Sequence, residues 1–388
     1  MNPAQRLIGL QESVIREMTR LAYQHDAINL SQGYPDFSAP EAVKQAAIDA
    51  IRLDYNQYSI TWGRPATRQA IAGKLRRQYG MDWIDPDQHV TVTCGVTEAI
   101  VVALMGIVNP GDEVVVIEPF HENFVPAVAF AGARPVFVPL EPPDYQLDPH
   151  RLRQSFGPRT RAILVNTPHN PTGRVFTREE LTTVADLCQE FDTIAVTDEI
   201  YEHIIYDGLT HLPMATLPGM AERTITTGGF SKTYAVTGWR LGYAVAQEPW
   251  STALRTVHDY TTICAPTPFQ EAAVAALALP DSYYAALRAG YTERRDHMIA
   301  ILNDVGFKAT PPEGAYYVMA DFSDFGFDGD DTEFARWLTK QARVAVVPGS
   351  SFYHKPELGR TTVRFAFPKR LETLEEAGER MRAALEAV

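Results

Sequence analysis

Apolar residues repeat along this chain in two ways. Residues 4–24 carry Leu7, Leu10, Val14, Met18 and Leu21 at steps of three and four, the spacing of one amphipathic helix. A turn-rich stretch follows, Ser31-Gln-Gly-Tyr-Pro-Asp-Phe-Ser38. From about residue 41 to 250 the pattern alternates. HVTVT (89–93), EVVVIEP (113–119), RAILVNTP (161–168), TIAVTDE (193–199) and TITTGG (224–229) are short β-branched runs. Helical segments are predicted from Val96, around 122–131 and from Thr177. Continuous apolar strands between helices predict a mostly parallel sheet covered on both faces. The last hundred residues differ. A long helix (281–304) precedes YYVMADF (316–322), a helix (331–343), VAVVPG (344–349), TTVRFAF (361–367) and a closing helix (371–387). This part reads as a smaller α+β domain, docked closely because no Gly/Ser linker separates it.

The 388 residues include 35 Lys and Arg against 48 Asp and Glu, for a net charge of −13. That balance argues against nucleic acid or an anionic membrane surface as partner, since both select a basic face. No apolar run reaches the roughly 18 residues of a membrane span. No basic-then-apolar signal opens the sequence. The three cysteines form no CxxC pair, which points to a reduced, cytoplasmic setting and offers no zinc site. GxGxxG, GxxxxGK[ST], HExxH and GxSxG are all missing, so dinucleotide, P-loop, zinc-protease and serine-hydrolase readings lack support.

In an open parallel sheet, ligands sit at the carboxyl ends of the strands. After HVTVT come Gly95, Val96 and Thr97, opening a helix. This is either an ordinary turn or a phosphate cradle of free N–H groups. After RAILVNTP, the turn His169-Asn170-Pro171-Thr172-Gly173 carries an amide that the turn itself does not require. After TIAVT, Asp198 either caps a helix or faces a cationic ring nitrogen, with Tyr201 three residues on. After TITTGG come Ser231 and Lys232, one of only seven lysines, and then Arg240. Alone, either cation reads as a surface residue. Together the parts suit one cofactor, pyridoxal 5'-phosphate, which carries a phosphate, a phenolic oxygen, a pyridine nitrogen and an aldehyde that takes a lysine.

The ordered set NTPHNPTG, TDEIY, FSKTYAVTGWRLGY and VRFAF resembles the class I aminotransferases of pyridoxal-phosphate fold type I. GYPDF, PEGAYYVMADF and VRFAF are most similar to the kynurenine and methionine members. The resemblance implies an α/β fold: a large domain with a mostly parallel seven-stranded sheet, plus a smaller α+β domain. It implies an arm and part of the small domain in 1–40, a large cofactor domain in 41–285 and a small domain in 286–388. It makes Lys232 the Schiff-base lysine and proton shuttle, with Asp198 on the pyridine nitrogen. Asn170 and Tyr201 fall on the ring oxygen. Gly95, Val96 and Thr97 fall on the phosphate, with Arg240 as counter-charge. Arg364 would take the substrate α-carboxylate, helped by Gly33. Tyr58 would reach the phosphate of a partner subunit, which implies a homodimer with shared active sites.

Two positions depart from the family pattern. Gly229 stands where many relatives have a phosphate-binding serine, leaving Ser231 or the backbone to compensate. His121, in Pro119-Phe120-His121, stands where an aromatic ring usually stacks on the cofactor; its imidazole either stacks there or takes up a proton near neutral pH and tunes the cofactor, with Phe120 as the neighbouring alternative for the stacking ring. Tyr34, Trp62, His121, Tyr316 and Phe352 are expected around the side-chain pocket, with no evident second arginine. The reading is therefore an aminotransferase for methionine, aromatic or kynurenine-like donors and a 2-oxo acid acceptor. A β-lyase or an amino-acid oxidase on the same scaffold is the alternative. A DNA-binding regulator is disfavoured by the short, acidic N-terminus.

Overall fold

The computed structural model describes residues 4–386 except Ile8 and Gln11. Its main sheet has seven strands: β1 Val90–Thr93, β2 Glu113–Glu118, β3 Arg134–Pro139, β4 Thr160–Asn166, β5 Ile194–Asp198, β6 Thr224–Gly229 and β7 Gly242–Val245. Their order across the sheet is β1-β7-β6-β5-β4-β2-β3, and β7 alone runs antiparallel to its neighbours. Period-two alternation splits each central strand between two cores. Val115, Ile117, Ile163, Val165 and Ala195 pack on one face. Val114, Val116, Ala162, Leu164, Ile194 and Val196 pack on the other. The sheet is thus buried on both sides, and its carboxyl edge carries the predicted chemistry.

A second sheet is antiparallel: β8 Lys308–Ala309, β9 Tyr317–Asp321, β10 Val347–Pro348 and β11 Thr362–Ala366, in the order β10-β11-β9-β8. It shares a core with the helices Asp281–Val305, Asp331–Gln341 and Leu371–Leu385. Ile28–Asn29 pairs in parallel with Val344–Ala345, tying the chain's beginning to this C-terminal region. VAVVPG is therefore two short strands in two different sheets rather than one.

The single helix expected over 4–24 is corrected. A short 3-10 turn at Gln5–Leu7 is followed by a helix only from Val14 to Gln24. Gly9 turns the chain with a φ of 87°. Ser13 then caps the new helix by accepting from the Arg16 N–H at 3.3 Å. The parts of that expectation on Ile8 and Gln11, and the end of the closing helix at Ala387, lie outside the described residues.

Behind the strand ends lies a buried ion pair, Lys74 with Glu202. The Tyr79 hydroxyl also donates to Glu202, at 2.6 Å. Burial alone would raise the Glu202 carboxyl; the Lys74 ammonium overrides it and holds it at about 2. Replacing Lys74 with methionine strands that charge and is expected to cost about 3–5 kcal/mol of stability, measured by urea unfolding. Because the folded pKa is depressed, the pair's contribution is present above the unfolded carboxyl value of 4.5 and fades as pH falls toward 2. The variant should lose that dependence.

Candidate active site

The carboxyl ends of β1, β4, β5 and β6, with β11 and the Gln32–Tyr34 turn, enclose a cavity of 480 Å³. Gly33, Tyr34, Val96, Thr97, His121, Asn170, Asp198, Tyr201, Ser231, Lys232, Arg240 and Arg364 all line it. Residues scattered from 33 to 364 thus converge as the motif reading anticipated.

The phosphate end is built by backbone. Gly95 precedes the helix Val96–Ile107, whose first turn has no side-chain cap. Its free N–H groups and dipole favour an anion. Gly95 has a φ of 83°, and a Cβ there would lie 2.6 Å from Arg240 Nη2. Glycine therefore lets the guanidinium close over the cradle. Arg240 makes no ion pair among the described residues, which leaves its charge free for an anion; its Nη1 donates to Thr237 O at 3.1 Å. Gly229 is tightly packed: a Cβ would meet Ile200 Cδ1 at 3.0 Å and Leu241 O at 3.1 Å.

At the base, Asp198 is 5% exposed and accepts from the Ile200 N–H at 3.2 Å, with no cation bonded to it among the described residues. Burial raises its carboxyl from 3.8 to about 7, against the pull of that N–H and of Lys232. A buried carboxylate of this kind calls for a cationic partner. The Lys232 amine donates to Gly33 O at 3.1 Å. Burial, aided by Arg240 and Arg364, depresses it below the ordinary lysine value. The Tyr201 hydroxyl lies 3.0 Å from that of Tyr317. Burial and that neighbour push the Tyr201 phenol well above its ordinary value.

Arg364 is fully buried and pairs with no carboxylate among the described residues. It donates to Asn170 Oδ1 at 2.9 Å and to Ser31 O at 2.6 Å. Its Nε has no partner. A buried guanidinium with an orphaned donor is a carboxylate receptor. His121 is neutral at ordinary pH, because burial, Lys232 and Arg364 depress its pKa to about 3.

Other expectations change. Phe120 packs in the core beside Phe137 with ring centroids 5.7 Å apart, so it is His121 that faces the cavity. Tyr316 stands behind the lining, its hydroxyl donating to Gly33 O at 2.8 Å, while Tyr317 lines the cavity. Trp62 lies off the cavity, its indole engaged by the Arg255 guanidinium at 5.1 Å. Phe352 sits under Arg364, 4.9 Å from the guanidinium carbon, rather than on the wall. Tyr58 is 80% exposed and does not line its own chain's cavity. Arg16, Gln32, Glu122 and Asn123 line the cavity without having been anticipated; Arg16, an exposed cation, corrects the expectation that no second arginine besides Arg364 stands on the substrate side.

The free cradle, the unpaired buried carboxylate, the depressed lysine and the orphaned arginine donor fit pyridoxal phosphate and an amino-acid carboxylate. Among the described residues no group of three His, Cys, Asp or Glu can hold a metal, and no helix is long and apolar enough to cross a membrane. Fold and site define a pyridoxal-phosphate enzyme of fold type I.

The profile of the family "Aminotransferase class I and II" matches residues 25–377, and the chain belongs to that family as a pyridoxal-phosphate-dependent aminotransferase. It is 41% identical to the probable N-succinyldiaminopimelate aminotransferase DapC of Mycobacterium tuberculosis, over 97% of each chain. The solved structure of that organism's N-succinyldiaminopimelate aminotransferase superposes with a TM-score of 0.96 over 99% of this chain and 100% of the other. Human kynurenine–oxoglutarate transaminase 1 is 37% identical over 98% of this chain and 97% of its own. YbdL of Escherichia coli, reported as a methionine aminotransferase, has a TM-score of 0.93 at 35% identity, over 99% of this chain and 100% of its own.

Proposed function

We propose that this enzyme accepts the amino group of methionine, an aromatic amino acid or a kynurenine-like donor and passes it to a 2-oxo acid by a ping-pong cycle. The carrying observation is Arg364, buried, free of any carboxylate, and open to the same cavity as the Lys232 amine. Every donor and acceptor shares the α-carboxylate, so one arginine serves both halves. Tyr34 and Tyr317 on the wall favour apolar and aromatic side chains.

The bound cofactor supplies an electron sink for the substrate α-carbon. The protein does the rest. Asp198, ionised by a cationic ring nitrogen, holds that proton in place. Asn170 and Tyr201 donate to the ring oxygen. Val96, Thr97, Ser231 and Arg240 hold the phosphate, Ser231 standing in for the serine that packing at Gly229 disfavours. Lys232 Nζ, held below the ordinary lysine value by burial, would take the α-proton and return it two atoms away, across the transferred nitrogen. Tyr58 serves the partner's site in a cytoplasmic homodimer. Exposed Leu53, Ile60, Tyr260 and Ile263 support such an interface, together with Tyr58 itself. The division into 1–40, 41–285 and 286–388 belongs to the same proposal.

Arg364→Lys tests the reading. A lysine keeps the charge but loses the two-point fork. We expect kcat/KM to fall on the order of 10²-fold in both half-reactions. Stopped-flow traces with donor alone and acceptor alone measure it. A loss confined to one half would refute a shared carboxylate site.

A further inference from the structure

Asn170 has its amide orientation set by Arg364. A guanidinium only donates, and Arg364 Nη1 lies 2.9 Å from Asn170 Oδ1. The amide's NH₂ end therefore faces the other way, and Nδ2 lies 3.2 Å from His121 Nδ1. An N–H cannot meet an N–H, so Nδ1 must carry the lone pair and Nε2 the proton. On the far side of the ring, Nε2 lies 3.3 Å from Asn123 Nδ2, so as placed this amide also turns an N–H toward the ring. That amide meets the Nε2 proton with its carbonyl end once turned over, an exchange of two atoms of equal shape. The same amide is 3.1 Å from Thr97 Oγ1, on the phosphate helix.

We propose that His121 is a positioning residue: its Nδ1 accepts from Asn170, leaving the second N–H of that amide aimed into the cavity. No phenylalanine, tyrosine or tryptophan at this position can do so, since none offers an acceptor in the ring plane at that site. The ring does not titrate near neutrality, because burial, Lys232 and Arg364 all disfavour its charged form. The anchor therefore holds near neutrality. The Arg364–Asn170–His121–Asn123–Thr97 series links the carboxylate receptor to the phosphate cradle through neutral groups. Only its last step, the use of the second Asn170 N–H, rests on reading the cavity as the cofactor site.

Two variants separate anchoring from stacking. His121→Phe keeps a flat ring and removes the acceptor. His121→Asn removes the ring and keeps an acceptor near the Nδ1 position. The readout is the pH at which the visible band of the bound cofactor titrates. A donor to the ring oxygen favours the deprotonated form, so weakening it raises that pH. The proposal predicts an upward shift of about half to one pH unit in His121→Phe and a smaller one in His121→Asn. Equal shifts, or the reverse order, overturn it.

Long-range proton–nitrogen spectra of histidine-labelled wild-type protein, with and without cofactor, give a check that needs no stable variant. The His121 ring must show a bare Nδ1 and a protonated Nε2 in both. The opposite tautomer sinks the anchor whatever the cofactor does. If the wild type takes up no pyridoxal phosphate, the site reading fails instead, and the tautomer result stands apart from it.

Discussion

Lys232→Ala is expected to lower turnover by at least ~10⁴-fold while leaving the fold intact. Among the described residues this side chain is the one amine lining the cavity, and its hydrogen-bond partner is a backbone carbonyl, Gly33 O at 3.1 Å. Removing it takes away both the group that binds the cofactor aldehyde and the group that moves the α-proton. The phosphate cradle, Arg240 and Asp198 are untouched, so the variant should still bind pyridoxal phosphate, non-covalently and more weakly. Two measurements check this: steady-state rate with donor and acceptor, and cofactor retained after gel filtration with and without borohydride reduction. Residual turnover near wild type would remove Lys232 from the mechanism.

Asp198→Asn should be nearly as severe, with a loss on the order of 10²–10⁴-fold in the half-reaction rate. Its structural signature is sharper than its kinetic one. Without a cationic partner, burial holds the carboxyl near 7 rather than 3.8. In the cofactor-free protein the folded state then binds a proton that the unfolded chain has released. Stability therefore falls as pH rises through that window. A pyridinium opposite Asp198 stabilises the charged carboxylate and cancels the slope. Buried neutral His121, His169 and His203 contribute the opposite slope below their unfolded value of 6.5, so the test is a difference. In urea unfolding from pH 4 to 8, cofactor-free wild type should lose stability relative to cofactor-free Asp198→Asn as pH rises, and loading with cofactor should remove that relative loss. A difference between the two that does not change with pH would contradict the placement of Asp198.

Much of this site is legible in the sequence because its residues stand where local rules change. Gly95, Asn170, Asp198 and Lys232 each follow an apolar β-branched run and sit in or beside a turn. The strands β1, β2, β4, β5 and β6 are readable for the same reason. β3 is not: Arg134–Pro139 has proline at both its second and last positions and lies at the sheet edge, where burial is partial. β7 is four residues long and antiparallel, entered from the Arg240 loop. The Tyr316-Tyr317 doublet shows why register matters. Successive strand residues face opposite ways, and periodicity alone does not say which one meets the cavity. Arg16 and Gln32 come to the site through the docking of the N-terminal segment. No local pattern encodes that contact. Trp62 is expected at the pocket by resemblance alone, and its packing on Arg255 turns it away from this chain's cavity.

The central claim is amino-group transfer through one lysine-held cofactor. The most direct test mixes the loaded enzyme with methionine or an aromatic amino acid under air, with no oxo acid present. Absorbance, ammonia and oxygen are followed together. The account predicts stoichiometric conversion of the visible band to the pyridoxamine spectrum, one equivalent of 2-oxo acid, and no ammonia or oxygen uptake. Recovery of the band while ammonia accumulates, with or without oxygen consumption, would contradict it and assign the chemistry to a lyase or an oxidase.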